Sequence, residues 1–168
     1  MKIFRHGVSD SLRRIVSGHP PRPLADDVAS IGRNLVAQLN ESPIRVGLLG
    51  AGTVGSQTAR LIVEQKSELS ARIGRPIELT GVACLDPKET EAFPWIDQSI
   101  VTTDTMSVAT NSDIVIELIG GTTVARKFVL AAIESGASVV TANKALLAKY
   151  GPEIYAAAET KGVDIYFE

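Results

Sequence analysis

Cysteine and histidine are nearly missing from this chain of 168 residues, which has one of the first and two of the second. A single thiol, Cys84, excludes an internal disulfide. It falls in a predicted strand, where a buried and inert thiol is expected rather than a reactive one. Both histidines, His6 and His19, lie at the N-terminal end. The rest of the chain therefore has no imidazole base and no cluster of metal ligands, so histidine-driven hydrolysis and zinc chemistry are not expected of it. No apolar run approaches the roughly 20 residues of a membrane span, and the N-terminus lacks the apolar core of a secretory signal. Neither sign of charge dominates. A net charge of -2 and a pI of 5.7 give no attraction to nucleic acid or to an anionic membrane. A cytoplasmic protein acting on a small molecule is the expectation that remains.

What the chain does have is the composition of a globular protein, 45% hydrophobic and 21% charged. Its length suits one domain with a sizeable core and not two large ones. Residues 1–43 differ in character from the rest of the chain. Lys2, Arg5, Arg13, Arg14, Arg22 and Arg33 are here, with Pro20, Pro21 and Pro23 forming an extended His-Pro-Pro-Arg-Pro run. Val28, Ile31, Leu35, Val36 and Leu39 then recur at helical spacing. A flexible leader with one amphipathic docking helix accounts for this better than an organellar transit peptide does.

From Ile44 the pattern alternates between strand and helix through residue 168. Strands are predicted at Ile44–Leu49, Ile77–Leu85, Ile100–Thr102, Asp113–Ile119, Val139–Thr141 and Val163–Phe167. Helices are predicted at about Thr53–Ile73, Val124–Ser135, Lys144–Lys149 and Pro152–Lys161, with a helical turn over Thr105–Thr110. Residues 86–99 look irregular. Such alternation predicts the α/β class, a Rossmann-type, doubly wound parallel sheet of order 3-2-1-4-5-6 over residues 44–168. In that order the strands starting at Ile44 and Asp113 are neighbours, and the loops at their C-terminal ends face one crevice.

The segment IRVGLLGAGTVG, Ile44 to Gly55, carries the most information. A strand runs into Gly50-Ala51-Gly52-Thr53-Val54-Gly55 and a helix begins at once, as a dinucleotide pyrophosphate requires. Gly50 permits the tight turn and Gly52 removes a side chain from the path of the phosphates. Gly55 allows close packing of the helix, whose free N–H groups face the anion. A plain glycine-rich turn lacks such flanks.

Other candidates gather at the same crevice. Gly120 and Gly121 end the strand from Asp113 and let backbone approach the nicotinamide or its ribose. Thr141 and Asn143 come at the end of the next strand, where they serve the nicotinamide or act as strand-end and helix-cap groups. Lys144 opens a helix against its dipole, at a cost of about 0.3–1 kcal/mol, which fits a role in holding an anionic or carbonyl group of a substrate. Asp86 lies at the end of the second strand, where an acid hydrogen-bonds the adenosine ribose and repels a 2′-phosphate. Lys88 argues the other way, and an Asp-Pro turn is the alternative.

VGLLGAGTVGSQTARLI, IVIELIGG and ASVVTANKALLAKYG, in this order and spacing, resemble the cofactor domain of homoserine dehydrogenase. The resemblance covers Ile44 to Glu168, and the Thr141–Ala148 segment is far more specific than the glycine motif. It implies NAD(P)-dependent interconversion of L-aspartate 4-semialdehyde and L-homoserine, on the route to threonine and methionine. It places Gly50–Gly55 at the phosphates, Gly120 and Gly121 beside the nicotinamide, and Lys144 at the reacting end as the catalytic side chain. Members of the family that prefer NADP often carry arginine where this chain has Leu85, so the expected cofactor is NAD or NADP with a lean to NAD. The sequence stops at Phe167-Glu168, where the family continues into a substrate-binding and dimerisation domain. The chain is thus expected to be an incomplete, inactive fragment with a surface prone to self-association. A related amino-acid dehydrogenase, such as an aspartate dehydrogenase, and a non-catalytic nucleotide-binding module are the alternatives.

Overall fold

The computed structural model describes residues 42–167 of the chain. The amphipathic helix expected between Val28 and Leu39 lies outside the described residues. Within them the elements run β1 (Ile44–Leu49), α1 (Thr53–Glu64), α2 (Lys66–Ile73), β2 (Ile77–Ala83), β3 (Val101–Thr102), α3 (Thr105–Thr110), β4 (Ile114–Glu117), α4 (Thr123–Glu134), β5 (Ser138–Thr141), α5 (Lys144–Lys161) and β6 (Ile165–Phe167). The strands form one sheet of six in the order β3-β2-β1-β4-β5-β6, every neighbouring pair parallel. This is the expected doubly wound order, with its switch point between β1 and β4.

Burial on both faces explains the apolar strands. On one side Val46, Leu48, Ala59, Ile62, Leu79 and Val82 pack beneath α1. On the other, Leu49, Val115, Val129, Ile133, Val139, Leu146 and Ile154 pack beneath α4 and α5. Helix α3 sits so close to the sheet that a Cβ on Gly47 would fall 2.9 Å from a Val108 methyl, and 2.2 Å from the hydroxyl of Ser112 just beyond the helix. A register shift between Val46 and Gly47 marks a bulge in the β1–β2 pairing. Outside the core, Arg126 is ion-paired with Glu153, and Lys161 with Glu134 at 2.7 Å, joining α4 to α5.

Three elements differ from the sequence reading. The helix expected over Thr53–Ile73 is two, divided at Gln65, whose φ of -101° and ψ of 14° leave the helical region. Conversely, the two helices expected around Pro152 are one, α5, with the proline inside. Gly151 precedes the proline and has no Cβ for its ring to strike. Leu146, Gly151, Ile154 and Ala158 stay buried along the whole helix, so packing outweighs the one lost hydrogen bond. Residues 86–99 are not irregular throughout but hold two 3-10 turns, Pro87–Thr90 and Gln98–Ile100. The Gln98 amide ties them together, accepting from the Thr90 hydroxyl at 2.9 Å. Trp95 donates from its indole nitrogen to the Ser56 carbonyl at 2.8 Å, which fastens this excursion to α1. Among the described residues no helix is long and apolar enough to cross a membrane.

Candidate functional site

Two hollows open at the C-terminal edge of the sheet, on either side of the switch point. Gly50, Gly52, Cys84, Leu85, Glu89 and Thr105 line the first. Val54, Glu117, Gly120, Ala142, Asn143 and Lys144 line the second. Leu118, just past β4, lines both. The two hollows therefore meet along one residue, beside the glycine turn.

That turn is built so that backbone, not side chains, faces the crevice. Gly50 has a φ of 103°, and a Cβ there would stand 2.7 Å from the Leu118 carbonyl oxygen. A Cβ on Gly55 would fall 1.9 Å from the Gly50 carbonyl oxygen, so α1 begins in contact with the turn itself. Gly52 is the opposite case, since a Cβ there meets nothing within 4 Å. Its bareness leaves the space in front of the turn open. Gly52 is also the N-cap of the 12-residue α1, with no side-chain cap and no acid in the first turn. The helix start thus presents unsatisfied N–H groups and the positive end of its dipole to the crevice. An open cradle with these donors fits the pyrophosphate of a dinucleotide. Ala51 lies buried beneath it, and Thr53 and Val54 are exposed at its rim.

At the β2 end, Leu85 is 93% exposed. Asp86 turns its carboxylate onto its own loop, where it accepts from the Lys88 backbone N–H at 3.0 Å and caps the 3-10 turn. Glu89, one turn on, is the acid that lines the first hollow. Cys84 is buried, and desolvation, together with the charges of Glu89 and Asp86, pushes its thiol above the usual range. A thiol so held is protonated and unreactive at neutral pH.

The β4–β5 end is organised differently. Gly120 and Gly121 are consecutive, with φ of 75° and 70°. Behind them Glu117, wholly buried, pairs in register with Thr141. Asn143 caps α5, its side-chain oxygen accepting from the Leu146 N–H at 3.0 Å. Its amide nitrogen donates to the Gly121 carbonyl at 2.5 Å. Lys144 is exposed at the first position of α5, and its ammonium has no hydrogen-bond or ion-pair partner among the described residues. Of the residues that the sequence pattern assigns to one crevice, Gly50, Ala51, Gly52, Val54, Gly120, Asn143 and Lys144 line the two hollows, whereas Thr53, Gly55, Asp86, Gly121 and the buried Thr141 do not. Sequence reasoning missed Glu117 and Glu89. The signal for Glu117 was present, an acid interrupting the apolar run Ile114–Ile119.

Comparison with known proteins points in one direction. The family described as "Homoserine dehydrogenase, NAD binding domain" matches residues 50–168. A homoserine dehydrogenase of Pseudomonas aeruginosa is 45% identical over 131 residues, covering 75% of this chain and 29% of that protein. One of Corynebacterium glutamicum is 44% identical over 132 residues, covering 76% of this chain and 28% of that protein. The crystal structure of a homoserine dehydrogenase from Thiobacillus denitrificans superposes with a TM-score of 0.70 at 44% identity, covering 77% of this chain and 30% of that one. The homoserine dehydrogenase of S. aureus, at 26% identity, gives 0.64 over 76% of this chain and 33% of that one. The chain spans under a third of the length of these curated relatives.

Proposed function

The chain belongs to the family of homoserine dehydrogenase NAD-binding domains, and from that premise we propose that it supplies the cofactor-binding half of a homoserine dehydrogenase. The reaction is the interconversion of L-aspartate 4-semialdehyde and L-homoserine with NAD or NADP. The observation that carries the proposal is the meeting of the two hollows along Leu118 at the β1–β4 switch point, with the open Gly52 cradle lining the first of them.

When bound, the cofactor supplies or accepts the hydride. The α1 N–H groups hold its pyrophosphate, and Gly52 leaves the space clear. Asp86 and Glu89 are the acids near the end of β2 able to meet the adenosine ribose. With Leu85 in place of a basic residue, they favour NAD over NADP. Gly120 and Gly121 keep side chains away from the nicotinamide end, where Asn143 shapes the wall and the buried Thr141 supports it from beneath. Lys144 presents an unpaired ammonium at that end, suited to stabilise negative charge developing on the substrate oxygen. A small-molecule substrate and a cytoplasmic location belong to the same proposal. Tyr166 and Phe167, 59% and 61% exposed on the edge strand β6, support self-association. Cell fractionation and sedimentation test the last two points.

The reaction is tested by joining this chain to the remaining part of the Pseudomonas aeruginosa relative and following homoserine-dependent reduction of NAD and NADP. Turnover is expected, and Lys144→Ala should lower it far more than it lowers cofactor affinity. A joined protein that oxidises aspartate in preference to homoserine would make the aspartate dehydrogenase reading the correct one.

A further inference from the structure

The structure assigns Glu117 a role as the positioning residue of the nicotinamide end of the crevice, holding the Gly120–Gly121 turn and the start of α5 in one fixed arrangement. This inference rests on the reading that the crevice takes a dinucleotide.

Glu117 is wholly buried. A carboxylate in such a place is costly unless both oxygens have donors. Both do. Oε1 accepts from the Ile119 N–H at 2.9 Å, and Oε2 accepts from the Thr141 hydroxyl at 2.6 Å. The Thr141 oxygen in turn accepts from the Asn143 N–H at 3.0 Å. Asn143 then reaches back through its amide to the Gly121 carbonyl at 2.5 Å. The path closes on itself. It leaves β4 through Ile119 and Gly121, and returns through Asn143 and Thr141 on β5.

Packing alone does not call for a charge here, because Val115 and Val139 fill the same face of the same two strands without one. What the carboxylate adds is a link between two loops that otherwise have little to hold them. Gly120 and Gly121 are exposed, with nothing within 4 Å of a Cβ at either. Lys144 is exposed and begins a helix whose cap, Asn143, is a member of the circuit. Order in these surface pieces is drawn from one anchor beneath them. The adenosine end has no counterpart among the described residues, since Asp86 is engaged only with its own turn.

The test compares NADH with ADP-ribose, which carries the adenosine and the pyrophosphate but no nicotinamide. Calorimetric titrations are made on the 168-residue chain and on its Glu117→Gln and Thr141→Val variants, each with a thermal melt. The wild type is expected to bind NADH more tightly than ADP-ribose. In both variants NADH affinity should fall by about tenfold, with ADP-ribose affinity within about twofold of wild type. A merely structural role would not separate the two ligands. Equal losses for both, no loss for either, or a wild type that binds the two equally would overturn the assignment. Variants that no longer fold would make Glu117 a residue of the fold alone and would overturn it too. A wild type that binds neither ligand refutes the dinucleotide reading itself, and the assignment falls with it.

Discussion

The two ends of the crevice are held by different means. At the β2 end the contacts available to a ligand are backbone of the glycine turn and exposed side chains, Leu85 and Glu89, that bear no weight in the fold. At the β4–β5 end a buried carboxylate, a threonine, an asparagine and the Gly121 carbonyl form a closed set of hydrogen bonds. Binding preference is therefore free to change at the first end without cost to stability. At the second, geometry and stability are the same thing, and a substitution affects both.

The largest effect is expected where the ends share the turn. Gly55→Ala places a Cβ against the Gly50 carbonyl, 1.9 Å away before relaxation. This should cost about 3 kcal/mol, a melting temperature lower by about 10 °C, and dinucleotide binding with it. Gly52→Val should dissociate these losses. The side chain enters open space, so stability falls by only about 1 kcal/mol, yet affinity for NADH drops by at least about a hundredfold. Equal behaviour of the two variants would break the distinction between a glycine needed by the fold and one needed by the ligand.

Two smaller changes compare the ends directly. Asn143→Ala removes the α5 cap and the tie to Gly121. It should cost about 2 kcal/mol, read as a lower midpoint in urea. Leu85→Arg, at a residue 93% exposed, should leave that midpoint unchanged. It should raise NADPH affinity relative to NADH by about fivefold. If Leu85→Arg destabilises and Asn143→Ala does not, the contrast is reversed.

The smallest effect lies at the opposite end of β4. Asp113 receives hydrogen bonds from the Arg45 guanidinium, at 2.7 and 3.1 Å, and from the Arg45 N–H at 2.8 Å. The side-chain bond from Arg45 is the largest cause holding its carboxyl below the usual range. A depressed folded pKa means stability that is present above the ordinary carboxylate range and lost as the pH falls through the depressed one. With both side chains over 40% exposed, the contribution is about 1 kcal/mol or less. Asp113→Asn should flatten the loss of stability below about pH 4, with dinucleotide binding at pH 7 unaltered.

Much of this architecture was legible because parallel strands buried on both faces are written as apolar runs. Ile44–Leu49 and Ile114–Glu117 stand out for that reason, and their adjacency comes from the winding rule. Glu117 was visible as an acid in such a run, but its partner was not. Burial alternates along β4, with Val115 and Glu117 on the enclosed face, and only the pairing with Thr141 shows what the acid meets there. Residues 86–99 were opaque for another reason. They are organised by side-chain contacts such as Thr90 with Gln98 and Trp95 with Ser56, which leave no period to detect. Pro152 misled because a missing N–H is local, whereas the packing that carries α5 across it, through Leu146, Ile154 and Ala158, comes from the rest of the domain.

The most direct test of the central claim is a calorimetric titration of the chain and of Gly52→Val with NADH. Saturable one-to-one binding by the wild type, lost in the variant while its melting temperature stays close, is the predicted result. No saturable binding by the wild type, or the same affinity in both, would contradict the assignment of this crevice to a dinucleotide.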